Sequence, residues 1–213
     1  MEEFAKEYFK LLTEDYKTIN LTRINEYDDF YNKQIIDSVE IYSQSKVFKE
    51  SLDNSKTMID IGFGGGFPIL PMAKLKPDYK FLGIETRNKK CTVVGEMAQK
   101  LGLNNVNFLH SRIENVLIDK EVICTLKAVG KVGDFLNRIN TSKKIKVFFY
   151  KGPGFYELEK ESLQVALRDW KIIEEKEIFV PNTDKRLIIG FENKNVPHGT
   201  VTDNKLVKVS SII

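Results

Sequence analysis

The residues best suited to chemistry lie together in Met58-Ile-Asp60-Ile-Gly62-Phe-Gly64-Gly65-Gly66-Phe67-Pro68. Glycine reaches positive φ without strain, and its missing Cβ lets a ligand lie directly against the backbone. The turn follows a short apolar run, Thr57–Ile61, and leads into a helix-like segment. Ligands of open α/β sheets bind in that context, outside the carboxyl ends of the strands. Asp60 at the strand end is a fixed negative charge, suited to an amine and unsuited to a pyrophosphate. A second acid, Glu85, ends the run FLGIE, 19 residues beyond Gly66. A carboxylate at that distance can accept both hydroxyls of a ribose.

Two cofactor classes use such a turn. A dinucleotide site needs G-x-G-x-x-G, which would require glycine at position 67, where Phe67 stands. The chain offers D-x-G-x-G-x-G on Asp60, Gly62, Gly64 and Gly66. That pattern is associated with methyltransferases using S-adenosylmethionine (SAM), which carries a methionyl amine and no pyrophosphate. Glu85 suits adenosine in either class. Ser111-Arg112-Ile113-Glu114, after NVNFLH, supplies backbone and a short side chain where an adenine edge is usually met. The expected cofactor is SAM.

Positioning these residues requires alternating strands and helices. Strands are predicted at Thr57–Ile61, Tyr79–Ile84, Val106–Leu109, Val122–Leu126, Ile145–Tyr150, Trp170–Phe179 and Arg186–Phe191. Helices are predicted at Phe67–Leu75, Lys89–Leu101, Val132–Ile139 and Tyr156–Leu167, with Gly102 as a stop signal. Such alternation implies parallel pairing by crossover, with the final two strands forming an antiparallel closing hairpin. The expected fold is α/β: a doubly wound, Rossmann-like, mostly parallel seven-stranded sheet of the class I SAM-dependent methyltransferase kind. Residues 1–45 read as an N-terminal cap of two helices linked around Ile19–Ile24, residues 46–193 as the catalytic domain, and 194–213 as an extension.

Composition narrows the chemistry. Two cysteines, Cys91 and Cys124, and two histidines, His110 and His198, make neither a disulfide framework nor a metal site. No metal is expected. The N-terminus mixes acids with apolar residues, unlike a secretory signal, and no apolar run reaches membrane-spanning length. A cytoplasmic, monomeric protein is expected. The net charge of +3 neither requires nor excludes a nucleic-acid partner. The stretch Leu126-Lys-Ala-Val-Gly-Lys131 lacks the Asn/Asp-Pro-Pro-aromatic segment common to base-amine methyltransferases. Cys124 sits inside an apolar run, a poor place for the nucleophile of a pyrimidine C5 enzyme.

Taken in order, Asn20-Leu21-Thr22, Asp37-Ser38, IDIGFGGGFP, SRIE, Lys151-Gly152 and Lys185-Arg186-Leu187-Ile188-Ile189 resemble the RsmG (GidB) family. The resemblance runs from about Asn20 to Phe191. It implies SAM as donor, N7 of a guanine in 16S ribosomal RNA as acceptor, and the small subunit or an assembly intermediate as partner. It places cofactor contacts on Gly62, Phe67, Ile113, Glu114 and Lys127, with Lys151 and Arg186 toward RNA phosphates. No catalytic base is implied, because guanine N7 carries a free lone pair that can attack the methyl directly; Lys127 and Arg186 are positioning candidates. Arg186 also has Asp184 as a local ion-pair alternative. The chain departs from the family pattern at Gln34, where histidine is usual, and at Lys127, where arginine is usual. Phe63 replaces a small residue and Ile69 a glycine. Lysine keeps the charge at 127 and loses the planar fork. The competing readings are a SAM-dependent methyltransferase of a small molecule or protein, and a non-catalytic SAM- or RNA-binding module.

Overall fold

A computed structural model describes residues 1–183, 185–195 and 205–213 of the chain. Asp184, His198 and the Pro197–Gly199 part of the extension lie outside the described residues. Helices are α1 (Glu2–Lys10), α2 (Tyr27–Phe30), α3 (Asp37–Gln44), α4 (Lys46–Ser55), α5 (Ile69–Leu75), α6 (Asn88–Lys100), α7 (Val132–Leu136) and α8 (Phe155–Ala166). Strands are β1 (Thr57–Ile61), β2 (Lys80–Glu85), β3 (Val106–His110), β4 (Val116–Ile118) and β5 (Ile123–Lys127). They continue with β6 (Asn140–Thr141), β7 (Lys146–Lys151), β8 (Trp170–Ile178), β9 (Arg186–Asn193) and β10 (Val207–Lys208).

The expected seven-stranded sheet forms, in the order β3-β2-β1-β5-β7-β9-β8. Its first five strands are parallel, while β9 runs antiparallel between β7 and β8. The strand order reverses between β1 and β5, so the glycine turn after β1 opens at the switch point.

Alternate residues of each strand serve opposite layers. Met58, Phe81, Ile123, Phe148 and Ile188 pack under the N-terminal helices and α4–α6. Ile59, Leu82, Cys124, Val147 and Ile189 pack with Val132, Leu136 and Phe155 on the other face. All five residues of β1 are buried, as a central strand covered on both faces requires. Gly102 ends α6 at φ +69°, with Leu103 N–H returning to the Ala98 carbonyl.

Three features depart from the sequence reading. α4 occupies residues assigned to no element; Ser45 caps it by accepting from Phe48 N at 2.9 Å, and Phe48 and Leu52 bury its inner face. The helix expected from Phe67 begins at Ile69. Beyond the main sheet, β10, β4 and β6 form a small parallel sheet, and Lys120 Nζ donates to the Ile213 carbonyl at 2.9 Å. The far end of the extension is therefore built into the domain. Among the described residues no helix is long and apolar enough to cross a membrane.

Candidate active site

Strand ends bring most of the predicted cofactor residues to one cavity. Gly62 and Gly64 take φ of +76° and +56°, conformations that other side chains rarely tolerate. The turn encloses a cavity of about 520 Å³ walled by Gly62, Gly64, Phe67, Glu85, Ile113, Glu114 and Lys127. Glu85 is 7% exposed. Its Oε2 accepts from Gly64 N at 3.2 Å, and its Oε1 from Arg87 N at 3.0 Å and Thr86 Oγ1 at 3.1 Å. The carboxylate is thus held rigidly at the lip of the turn, with acceptor capacity left for hydroxyls.

Asp60 and Gly66 sit elsewhere. Asp60 lies behind the turn rather than on the cavity wall, with Oδ1 accepting from Thr125 Oγ1 at 3.0 Å. Its Oδ2 is buried with no well-formed hydrogen bond among the described residues. Gly66 is a packing position: a Cβ there would strike the Tyr8 hydroxyl and meet Leu70 Cδ1 at 3.0 Å. Gly65 has the same duty toward the N-terminal segment, since its Cβ would fall 2.7 Å from the Leu21 carbonyl oxygen. The Tyr8 hydroxyl donates to the Gly65 carbonyl, and the Tyr8 and Phe67 rings stack at 5.0 Å. Phe30 meets Phe67 edge-on at 5.8 Å. Phe67 therefore joins cavity and cap. Phe63, a departure from the expected small residue, fits because Gly83 on β2 leaves room for its ring.

Burial pushes the Asp60 carboxyl from its ordinary 3.8 up to about 7, against the Thr125 hydroxyl, the Ile69 backbone N–H and the Lys127 charge. Below about pH 3.8 the group is protonated in both folded and unfolded chains, and its contribution to stability is whole. That contribution is lost as pH rises through about 7, because the unfolded chain releases the proton first. The group's share has an upper bound of roughly 4 kcal/mol. Melting curves at pH 5 and pH 8 should therefore converge in Asp60→Asn; unchanged pH dependence would refute the assignment.

Beside the Lys127 wall of the cavity, two cations share one acid. Lys127 Nζ lies 2.6 Å from Asp37 Oδ2, and Arg186 Nε 2.9 Å from Asp37 Oδ1. Arg186 thus reaches α3, across 149 residues, for its acid. Lys127 Nζ also donates to the Lys33 carbonyl at 3.4 Å and to Gln34 Oε1 at 3.3 Å. Burial lowers the Lys127 pKa while Asp37 opposes that shift. Lys151, expected toward RNA, places its ammonium 2.7 Å from Glu159 Oε1 and donates to the Gly130 carbonyl. Only 10% of its side chain is exposed.

The sequence reading did not assign Leu21, Gln34, Arg87, Lys90 or Arg138 to the cavity wall. Leu21 carried a signal in the Asn20-Leu-Thr22 segment; the others have types common on any surface. A second hollow of about 430 Å³ adjoins the cavity, shares Leu21, Gln34, Arg87 and Lys90 with it, and adds Arg23.

These residues fit SAM. The glycine turn offers bare backbone, Glu85 offers anchored acceptor oxygens, and Phe67 and Ile113 offer apolar wall. Among the described residues no cluster of acids, histidines and cysteines could hold a metal.

Residues 1–188 match the family model GidB, described as rRNA small subunit methyltransferase G. A protein of Lactobacillus helveticus named ribosomal RNA small subunit methyltransferase G is 33% identical over 190 residues, spanning 85% of this chain and 78% of that one. Its namesake in Streptococcus pyogenes is 34% identical over 195 residues, spanning 88% and 81%. In fold, the chain is similar to a SAM-dependent methyltransferase from Aquifex aeolicus, with a TM-score of 0.52 and 19% identity over 73% of this chain and 92% of that one.

Proposed function

Since the chain belongs to the GidB family of rRNA small subunit methyltransferases, we propose that it methylates N7 of a guanine in 16S ribosomal RNA. It acts as a cytoplasmic monomer on the small subunit or an assembly intermediate. One observation carries the reading: the Glu85-anchored glycine cavity has on its wall Lys127, whose ammonium shares the Asp37 carboxylate with Arg186.

Bound in the cavity, SAM supplies an electrophilic methyl group. Glu85 holds the ribose, Gly62 and Gly64 leave room for the cofactor's chain, and Ile113 and Glu114 flank the base. The Asp60 carboxyl lies behind the turn, off the cavity wall, and would face the methionyl amine as a full charge only above about pH 7. Phe67, clamped by Tyr8 and Phe30, gives the cavity an apolar wall that would keep water from a bound methyl group. Guanine N7 needs no proton removed, so alignment of the lone pair for in-line attack replaces a general base. Lys127 and Arg186 fix that alignment, and Arg186, the more exposed of the two, is the one available to phosphate. Lys151, held on Glu159, ties α8 to the Gly130 carbonyl on the cavity wall. Arg87, Lys90 and Arg23 add positive charge along the adjoining hollow, so binding weakens as salt rises.

The test is to incubate the chain with labelled SAM and unmethylated small subunits, then digest the RNA and identify the nucleoside. One N7-methylguanosine per particle is expected. Label on another atom, or on ribosomal protein alone, would sink the reading.

A further inference from the structure

Gln34 lies in the helical stretch Tyr31–Ile36, on the wall common to the cofactor cavity and the adjoining hollow. The acceptor base has to sit at this junction, with the methyl on one side. On the other, Arg23, Arg87 and Lys90 offer positive charge to the strand's phosphates.

The orientation of the Gln34 carboxamide is fixed by its neighbour. Lys127 Nζ lies 3.3 Å from Gln34 Oε1 while paired with Asp37. A charged ammonium carries only donors, so oxygen must face it. The two N–H bonds of Nε2 are then directed away from Lys127, on a residue that walls both cavities.

A guanine presents N7 and O6 as adjacent acceptors, whereas adenine replaces O6 with a donor amino group. The N7 lone pair must stay free for the methyl, which leaves O6 as the acceptor beside it. We propose that Gln34 is a specificity-determining residue whose side-chain N–H donates to O6 of the guanine being methylated. The donor meets the O6 lone pair, holds N7 in line and repels the adenine amino group. This rests on the guanine-N7 reading, with Lys127 as the residue that aims the amide.

Gln34→Glu separates the parts, because it keeps an oxygen toward Lys127 and removes the donor; Gln34→Leu removes both. SAM affinity by calorimetry separates a lost cofactor contact from a lost O6 contact: at saturating SAM the fall in methyl transfer should exceed any fall in SAM affinity in each variant. Methyl transfer to small subunits should fall about tenfold or more in Gln34→Glu. Particles carrying 2-aminopurine, which lacks O6, at the methylated position supply the atomic partner of the cycle. The native chain should lose about tenfold on them, and Gln34→Glu should lose little further. Native activity in Gln34→Glu, independent multiplying losses, or a fall in SAM affinity as large as the fall in transfer would each overturn the assignment. If the native chain binds SAM and methylates no guanine, the underlying reading fails instead, and the Gln34 role with it.

Discussion

Asp37→Ala should lower the melting temperature by about 10 °C, corresponding to roughly 3–4 kcal/mol. The Asp37 side chain is 2% exposed and neutralises both Lys127 and Arg186, whose side chains are 13% and 27% exposed. Removing the acid leaves two cations at close range in a region with little water to screen them. Partial exposure of Arg186 lets it swing outward, which keeps the cost toward the lower end of the range for broken buried pairs. Replacing the ion pair as a unit, Asp37→Leu with Lys127→Met, should restore most of the stability while leaving methyl transfer impaired. Thermal denaturation of the three proteins checks this. A single variant melting within about 2 °C of native would show that the cluster contributes little to stability.

Glu85→Ala should weaken SAM binding by about a hundredfold or more. Two ribose hydroxyls donating to a carboxylate contribute about 1.5–3 kcal/mol each, and every 1.4 kcal/mol is tenfold in affinity. The substitution also frees Gly64 N–H and Arg87 N–H, which the carboxylate now orders. Glu85→Gln keeps one acceptor oxygen and should fall between the two. Calorimetric titration with SAM decides the matter; a loss under about threefold would move the ribose away from Glu85.

The sheet was legible because its signals are local and redundant. Strands such as Thr57–Ile61 and Lys80–Glu85 are short, mostly apolar runs, and glycines mark where the first of them stops. α4 carries a local signal too: Ser45 is a good N-cap, and Val47, Phe48, Ser51 and Leu52 recur at helical spacing. The β10–β4–β6 sheet was not legible, since two- and three-residue strands leave no period to detect. Residue type marked the Glu85 position, but it could not separate Gly62 and Gly64, which bare the backbone to the cavity, from Gly66, which admits Tyr8. Nor could spacing reveal that Arg186 would select Asp37, because ion pairs between distant segments depend on the finished topology. The usefulness of Gln34 was hidden for the same reason: an ordinary glutamine acquires a direction only when Lys127 lies beside it.

The N-terminal helices rest on the back of the cofactor turn through Tyr8 and Leu21, so docking them and shaping the turn are a single equilibrium. Any ligand that binds only the shaped turn also holds those helices down, by about 2.7 kcal/mol at a hundred times its dissociation constant. The reverse follows by linkage: whatever grips the helices from outside tightens the cofactor's hold by the same factor. If the proposed particle is what grips Leu21 and Gln34, it would hold the methyl donor more tightly by that same factor.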